Sequence, residues 1–569
     1  MDLAGLIEAL SEPAAYPDCP GPVVVHHTHI SAVFLAGDWA YKVKKPLDLG
    51  FLDFTTPDRR LRSCRDEVRL NRRLAPDVYR GVVPIVLRDG RVRVLHEPVP
   101  EAAPARRRPR AARGDASGGE EPIEYAVWMR RLPDEATMEW RLLRGDLAPA
   151  RLAALARRIA AFHRDAERGP AIARWGRLDV VAGNARENVE QTRPAVGVTV
   201  SERVHDRVAG LTEAALAELG PLVEARAARG VPRDTHGDLR LDHVYDFGAD
   251  GGGPGTRQGL PPASPPGGDG PGDGLVVVDC IEFNERFRYA DPVADAAFLA
   301  MDLAFYGRRD LARTFVESYL EAAGDPEGAR LVPWYVAYRA CVRAKVEGFE
   351  ALDESVPEPE RTEALGRARG FWLLALGQLE VPRRRPCLVL IGGLPGTGKS
   401  TLARELAARA GFRVVRSDVV RKALAGLPAD APAAAPFGEG IYDAEWTERT
   451  YAACLARSER ALFDGERVAV DAGFGREARR RLFLEAAVRW GVPGVFLECR
   501  ARADTVRERL LRRPPGVSDA DLAIHQRAAA FWEPPGPGTA PQVVDCEELG
   551  AAVDAATAAL ASEGLLGEA

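Results

Sequence analysis

The chain has 569 residues, 46% of them hydrophobic, and carries a formal net charge of −6. That length exceeds one ordinary domain and the apolar content suffices for several cores, while the mild negative balance argues against a nucleic-acid coat or an anionic membrane surface as the general partner. Eight cysteines without a C-x-x-C pair read as small buried thiols of a reducing compartment, not as a disulfide frame or zinc site; with no signal-peptide pattern and no apolar run near the ~18 residues that span a bilayer, a cytoplasmic protein is expected.

In chain order, β-like runs at 22–45 and 81–98 precede helical stretches at 146–168 and 201–229. A two-strand island follows near 243–282, and helical patterns resume at 292–380. Strands first and helices later predict an α+β bilobal arrangement, a small sheet lobe joined to a helical lobe. The segments 101–121 and 249–274 are low in complexity and lack core periodicity, so both read as disordered surface insertions. Of 77 basic residues only six are lysine, at 42, 44, 45, 345, 399 and 422. In so arginine-rich a chain, a retained lysine marks a place that needs a compact ammonium, and three of the six crowd into Tyr41–Lys45. The histidines of His26-His27-Thr28-His29 have no local cysteine or carboxylate to complete a metal site. Phosphate contact or ordinary hydrogen bonding suits them better than zinc.

Thr235-His236-Gly237-Asp238-Leu239 is followed about forty residues later by Val276-Val277-Val278-Asp279. With the intervening insertion set aside, the two aspartates flank a short hairpin. One carboxylate near an acceptor hydroxyl and another at a strand end, holding Mg²⁺, are what phosphoryl transfer requires. Over roughly residues 20–375 the sequence here resembles the aminoglycoside phosphotransferase (protein-kinase-like) family, whose catalytic loop reads His-Gly-Asp. The resemblance implies Asp238 as catalytic base and Asp279 as metal ligand. It further implies Lys42 as the strand lysine that grips the α/β-phosphates, with Lys44 as the alternative, and Glu67 as its helix partner. Asp291-Pro292-x-x-Asp295 matches the family's Asp-Pro-x-x-Asp, whose second aspartate braces the catalytic loop. Thr28, His29 and Ser31 fall where the first hairpin covers the phosphates. The chain departs at His243, which stands where the family has a metal-binding asparagine; imidazole is a poor Mg²⁺ ligand. Lys345, in Arg343-Ala-Lys-Val346, has a substrate or a structural role open to it.

Residues 381–386 (Val-Pro-Arg-Arg-Arg-Pro) break the pattern, so we expect a kinase-like domain over 1–380, a linker at 381–386 and a second domain over 387–569. In the latter, strands at 387–391, 412–416, 467–471, 494–499 and 542–546 alternate with helices, the signature of an α/β domain with a parallel sheet. Gly393-Leu394-Pro395-Gly396-Thr397-Gly398-Lys399-Ser400, with Thr401 after it, is a complete P-loop (Walker A motif) in its strand–loop–helix setting. Its amides would nest around a polyphosphate, Lys399 would reach the β/γ-phosphates, and Ser400 would ligate Mg²⁺. The arrangement is similar to the small P-loop kinases, such as gluconate kinase, the zeta-type kinases and polynucleotide kinases. That similarity implies Asp418 as base and Arg421 as substrate clamp, although a helix cap also suits Asp418. Asp471, at the end of the third strand, has metal binding or a strand-closing turn open to it. Arg509, Arg512 and Arg513 share a helix face that would form an ATP-binding lid or lie in solvent.

The whole resembles bacterial fusions of an aminoglycoside-phosphotransferase-like domain with a P-loop kinase domain. The expectation is a bifunctional ATP- and Mg²⁺-dependent phosphotransferase acting on a hydroxyl of a small-molecule acceptor. An ATP-sensing regulator, or a nucleic-acid 5′-end kinase in the second half, are the rival readings.

Overall fold

Alternating apolar residues build the first sheet. The computed structural model describes residues 2–50, 52–100, 121–248, 274–429, 431, 440–512 and 520–566; the insertions expected at 101–121 and 249–274 therefore fall, but for Glu121 and Gly274, outside the described residues. Two compact units are formed. The first comprises Met1–Arg177, Glu224–Leu299 and Arg313–Ala329; the second comprises Leu178–Val223, Ala300–Ala312 and Arg330–Ala569.

In the first unit the strands β1 (Val24–His27), β2 (Ser31–Ala36), β3 (Trp39–Lys44), β4 (Tyr79–Arg88), β5 (Arg91–Val94) and β6 (Pro122–Arg130) form one antiparallel sheet in the order β1-β2-β3-β6-β4-β5. Successive side chains of a strand point to opposite faces. Tyr41 and Val43 of β3 therefore enter a core with Phe34, Val83 and Ile85, where each fully buried apolar side chain contributes about 1.5–3 kcal/mol. Lys42 and Lys44 share the other face, toward the helix Pro57–Asn71. That helix starts at an N-cap, Thr56, with proline at its first turn. Its inward face carries Arg60, Ser63, Glu67 and Asn71, spaced three and four apart so that all look one way. The short strands β7 (Arg233–Asp234), β8 (Val244–Asp246), β9 (Leu275–Val277) and β10 (Tyr289–Ala290) pair as β8 with β9 and β7 with β10, both antiparallel. They frame the His-Gly-Asp loop. This is an α+β architecture, as expected.

The second unit is built on a five-stranded, wholly parallel sheet of β11 (Cys387–Gly392), β12 (Arg413–Arg416), β13 (Arg467–Asp471), β14 (Gly494–Arg500) and β15 (Gln542–Asp545), ordered β12-β13-β11-β14-β15. All six residues of β11 are buried, as a central strand covered on both faces must be. The helices Val332–Leu352 and Glu358–Leu379 belong to this unit. Phe371 stacks on Phe305 at 3.9 Å between ring centroids, and a Cβ on Gly370 would meet the Arg489 carbonyl at 2.5 Å. Arg207 bonds Glu380 at 2.6 Å and the Gly465 carbonyl at 2.9 Å, so residues flanking 381–386 are tied to the P-loop sheet. Lys345 donates to Asn188 at 2.7 Å and Gln191 at 3.0 Å, which gives that lysine a place in the packing of two helices. Among the described residues no helix is long and apolar enough to cross a membrane.

Candidate functional site

Each unit gathers its sequence-identified residues at its own site. In the first, Lys42 bonds Asp279 and lies 3.1 Å from Glu67. Lys44 lies 2.5 Å from the second oxygen of Glu67 and also bonds Glu282. Glu67 thus pairs with both lysines. Glu282 escaped the sequence reading, although two lysines on one sheet face in so arginine-rich a chain call for more than one carboxylate. Ser63 donates to Glu282 at 3.1 Å, and the Asn71 side chain accepts the Cys280 N–H at 2.9 Å. The Pro57–Asn71 helix is thereby fastened to the segment that carries Asp279.

Burial works against the Lys42 ammonium, but Asp279 and Glu67 outweigh it and hold its pKa well above the usual value. For Asp279 burial favours the neutral acid; Lys42 and His243 more than reverse this and keep it ionised. Burial dominates at Glu282 and raises its pKa despite Lys44. Asp279 also sits at φ 64°, a left-handed backbone that a non-glycine residue adopts at a cost of about 1–3 kcal/mol and that clusters at functional sites. Truncating one partner of a buried ion pair strands the other. Lys44→Met is therefore expected to destabilise the first unit by about 3–5 kcal/mol, read as a lower urea midpoint, with Lys44→Met/Glu282→Gln recovering part of the loss.

Asp295 braces the His-Gly-Asp loop. Its carboxylate accepts the N–H groups of His236 at 3.0 Å and Gly237 at 2.8 Å, and pairs with His163 at 3.0 Å. Gly237 adopts φ +89°, and a Cβ there would press on the Phe287 carbonyl at 3.1 Å, so this turn requires glycine. Arg226 bonds Asp291 and Asp325, each at 2.6 Å, and anchors the start of the Asp-Pro-x-x-Asp segment. His243 donates from Nδ1 to the Asp238 carbonyl at 2.9 Å, which leaves Nε2 facing Asp279 at 3.7 Å. Burial opposes its charging, yet Asp242 and Asp238 prevail and its pKa is raised. A protonated ring cannot ligate a metal, so the local field works against His243 as a ligand. Thr28 closes the β1–β2 turn by accepting the Ser31 N–H at 2.9 Å, and His26, His27 and His29 are exposed. Among the described residues no group of three or more His, Cys, Asp or Glu side chains is arranged to hold a metal. Mg²⁺ shared with a triphosphate needs only one or two carboxylates, and Asp279 fits that requirement.

In the second unit β11 runs into the phosphate loop at Gly393, and the helix Lys399–Ala410 starts behind Gly398. Gly393 (φ +137°) and Gly398 (φ +102°) both need glycine geometry, and a Cβ on Gly393 would lie 2.4 Å from the Cys499 carbonyl. The loop is pressed against the Cys499 carbonyl at the end of β14 and against Cys546 just after β15. Lys399 donates to the Leu394 carbonyl at 2.8 Å, so its ammonium arches back over the loop. Ser400, Thr401, Asp418, Arg421 and Asp471 line a cleft of about 490 Å³ with the loop. This cleft lies at the carboxyl ends of the strands, where open α/β sheets bind ligands.

Arg421 donates to the Ile441 carbonyl at 2.5 Å and to Thr447 at 3.3 Å, and stacks on Tyr442 with 5.0 Å to the ring centroid. Its guanidinium is held in place before any ligand arrives. Asp471 is paired with Arg416 at 3.2 Å. Arg509 donates to the carbonyls of Cys546 at 2.8 Å and Glu547 at 2.9 Å, with Nη1 3.6 Å from where a Gly398 Cβ would stand. Arg512 points to solvent, paired with Glu508, and Arg513 lies outside the described residues. The face expected to carry three arginines toward phosphate thus brings Arg509 to the loop and not Arg512. Two features went unread in the sequence. His525 donates to the Pro395 carbonyl at 2.7 Å, and Trp532 and Arg479 join the cleft wall; all come from far along the chain with no local motif.

Residues 388–535 match the family described as an AAA domain. Over 517 residues the chain is 32% identical to uncharacterized proteins of Mycobacterium bovis and Mycobacterium tuberculosis, covering 91% of this chain and 91% of each relative. Solved structures similar to it include a choline/ethanolamine kinase family protein from Mesorhizobium loti, at 14% identity and TM-score 0.35 over 66% of this chain and 98% of that one. A gluconokinase from Sinorhizobium meliloti is another, at 21% identity and TM-score 0.24 over 32% and 95%. On the strength of the near full-length match, this chain belongs to the family of those mycobacterial proteins.

Proposed function

We propose that the chain is an ATP- and Mg²⁺-dependent phosphotransferase with two nucleotide sites, moving phosphate to a hydroxyl of a small-molecule acceptor. The observation that carries this reading is the second-unit cleft, where the phosphate loop, Asp418 and the clamped Arg421 face one cavity. ATP supplies the phosphoryl group, and Mg²⁺ would be held by Ser400 with Asp471 nearby, and by Asp279 in the first unit. Asp418 accepts the acceptor's proton while Arg421 orients its polar group; Lys399 and Arg509 offset charge on the phosphates. In the first unit Lys42 exchanges Asp279 for phosphate oxygens while Lys44 keeps Glu67 in place, and Asp238 takes the proton. Incubating the full chain with γ-labelled ATP and a bacterial small-molecule extract should move label into a new, Mg²⁺-dependent product. Label staying wholly in ATP would sink the reading.

A second reading applies to the first unit alone: nucleotide sensing without turnover. It is favoured by His243, whose ring, its pKa raised by Asp242 and Asp238, faces Asp279 at 3.7 Å where the aminoglycoside phosphotransferase family has a metal-binding asparagine. Tight nucleotide binding with no ADP release from that unit would decide for it.

A further inference from the structure

The second unit has another recess, of about 490 Å³, between the edge strand β12, the helix Ser417–Leu424 and the helix Ala444–Phe463. It shares no lining residue with the nucleotide cleft, and its volume falls in the range of roughly 300–1,000 Å³ typical of small-molecule sites. Its lining divides by chemistry. Val415 and Val420 are buried and Val419 is half-buried, an apolar surface. Against it stand Arg413, Arg416, Arg457 and Arg460, with Asp464 as the only acid among them.

The charges are unevenly answered. Arg413 bonds Glu466 at 3.0 Å, and Asp464 adds to the field around it. Arg457 and Arg460 are exposed, and neither bonds or pairs with another described residue. They stand three apart, on one helix face, where two like charges repel and an anion between them would be held by both. Arg416 gives the recess its consequence. It lines the recess, yet its Nε donates to Asp471 at 3.2 Å, and Asp471 lines the nucleotide cleft. The chain then runs from Arg416 straight into the helix that carries Asp418 and Arg421. No part of the phosphotransferase reading uses any of these four arginines.

We propose that this recess binds a small amphiphilic anion, an apolar body ending in a carboxylate or phosphate, as an effector of the second unit. The guanidinium fork matches either head group, so Arg457 and Arg460 take the head while the valines remove the body from water. The bound anion draws Arg416 from Asp471. That carboxylate then loses a competing cation and holds Mg²⁺ more readily. The site itself stands apart from the phosphotransferase reading; the coupling rests on it, through Asp471 beside the metal, so the test reads the two separately.

Octyl phosphate, octanoate and 1-octanol are titrated calorimetrically into the full chain, with and without saturating Mg-ATP. At least one of the two anions should bind about tenfold or more tightly than octanol, and the one that does identifies the head group. Mg-ATP should not displace it, because coupled ligands help each other reciprocally. Arg457→Ala/Arg460→Ala, on an exposed face with no ion pair to lose, should weaken the anion about tenfold or more and keep ATP affinity within about twofold. With the anion bound, the Mg²⁺ concentration for half-maximal ATP binding should fall about threefold or more, and Arg416→Ala should reproduce that fall without the anion. Failure of both anions to bind, octanol binding as well as they do, displacement by Mg-ATP, or unchanged anion affinity in the double variant overturns the site. An unmoved Mg²⁺ requirement overturns the coupling. Absence of ATP binding in the parent instead strikes the nucleotide reading, while the anion titrations still decide the site.

Discussion

Lys399→Ala is expected to remove Mg-ATP binding by the second unit while leaving its fold in place. In the structure the ammonium arches over the loop to the Leu394 carbonyl at 2.8 Å, a bond whose loss costs about 1 kcal/mol. The helix Lys399–Ala410 is anchored by Leu402, Ala403 and Leu406 in the sheet core, and alanine is the best helix former. The loss therefore falls on the ligand. Truncating one partner of a desolvated charge pair costs about 2–5 kcal/mol, roughly 30- to 4,000-fold in affinity. Calorimetric titration of the full chain checks it: two nucleotide-binding events should become one, with the thermal midpoint moved by no more than a few degrees. Lys399→Arg should rescue poorly, because a planar fork does not fit where a compact ammonium folds back over the loop. Two intact binding events in Lys399→Ala would remove the basis for assigning nucleotide to this loop.

How much of this was legible beforehand follows from the range of the interactions. The five parallel strands were readable because each is a short apolar run punctuated by turn residues, and β11, β13 and β14 lie within a residue or two of the expected spans. The phosphate loop was readable because its chemistry is contiguous. The gathering of Asp238, Asp279 and Asp295 was readable through motif order: His243 lies between the first two, and Asp295 holds the N–H groups of His236 and Gly237. Glu282 was not: its meaning comes from Lys44, 238 positions earlier, and no local pattern announces such a pair. His525 was missed for the same reason, as it bonds the Pro395 carbonyl from 130 residues away. The grouping of 330–380 with the P-loop sheet was hidden because the helices themselves look ordinary. What places them is Arg207 on Glu380 and the bare backbone of Gly370 against Arg489, neither of which has a sequence signature.

The second large effect concerns the first unit, where Asp238→Asn in a Lys399→Ala background is expected to cut acceptor-dependent ADP release by about 10²- to 10⁴-fold. The background removes turnover by the P-loop unit, so the remaining signal reports on Asp238. Asparagine keeps the shape of the side chain, and the carboxylate's own contacts in the loop are long, 3.7 Å to His243 and 3.9 Å to Arg240. Asp238 is held through its main chain, with its N–H donating to His236 at 3.3 Å and its carbonyl accepting from His243 at 2.9 Å. Nucleotide affinity should stay within about twofold, because Lys42, Glu67 and Asp279 remain in place. A matched Asp295→Asn variant separates chemistry from scaffolding. It loses a carboxylate that accepts two loop N–H groups and pairs with His163, so stability and turnover should fall together. Turnover lost in Asp238→Asn with stability and affinity kept is the pattern of a base. Turnover unchanged by Asp238→Asn would exclude that role, and no turnover in the Lys399→Ala parent, with nucleotide still bound, would leave the first unit as a sensor governed by His243.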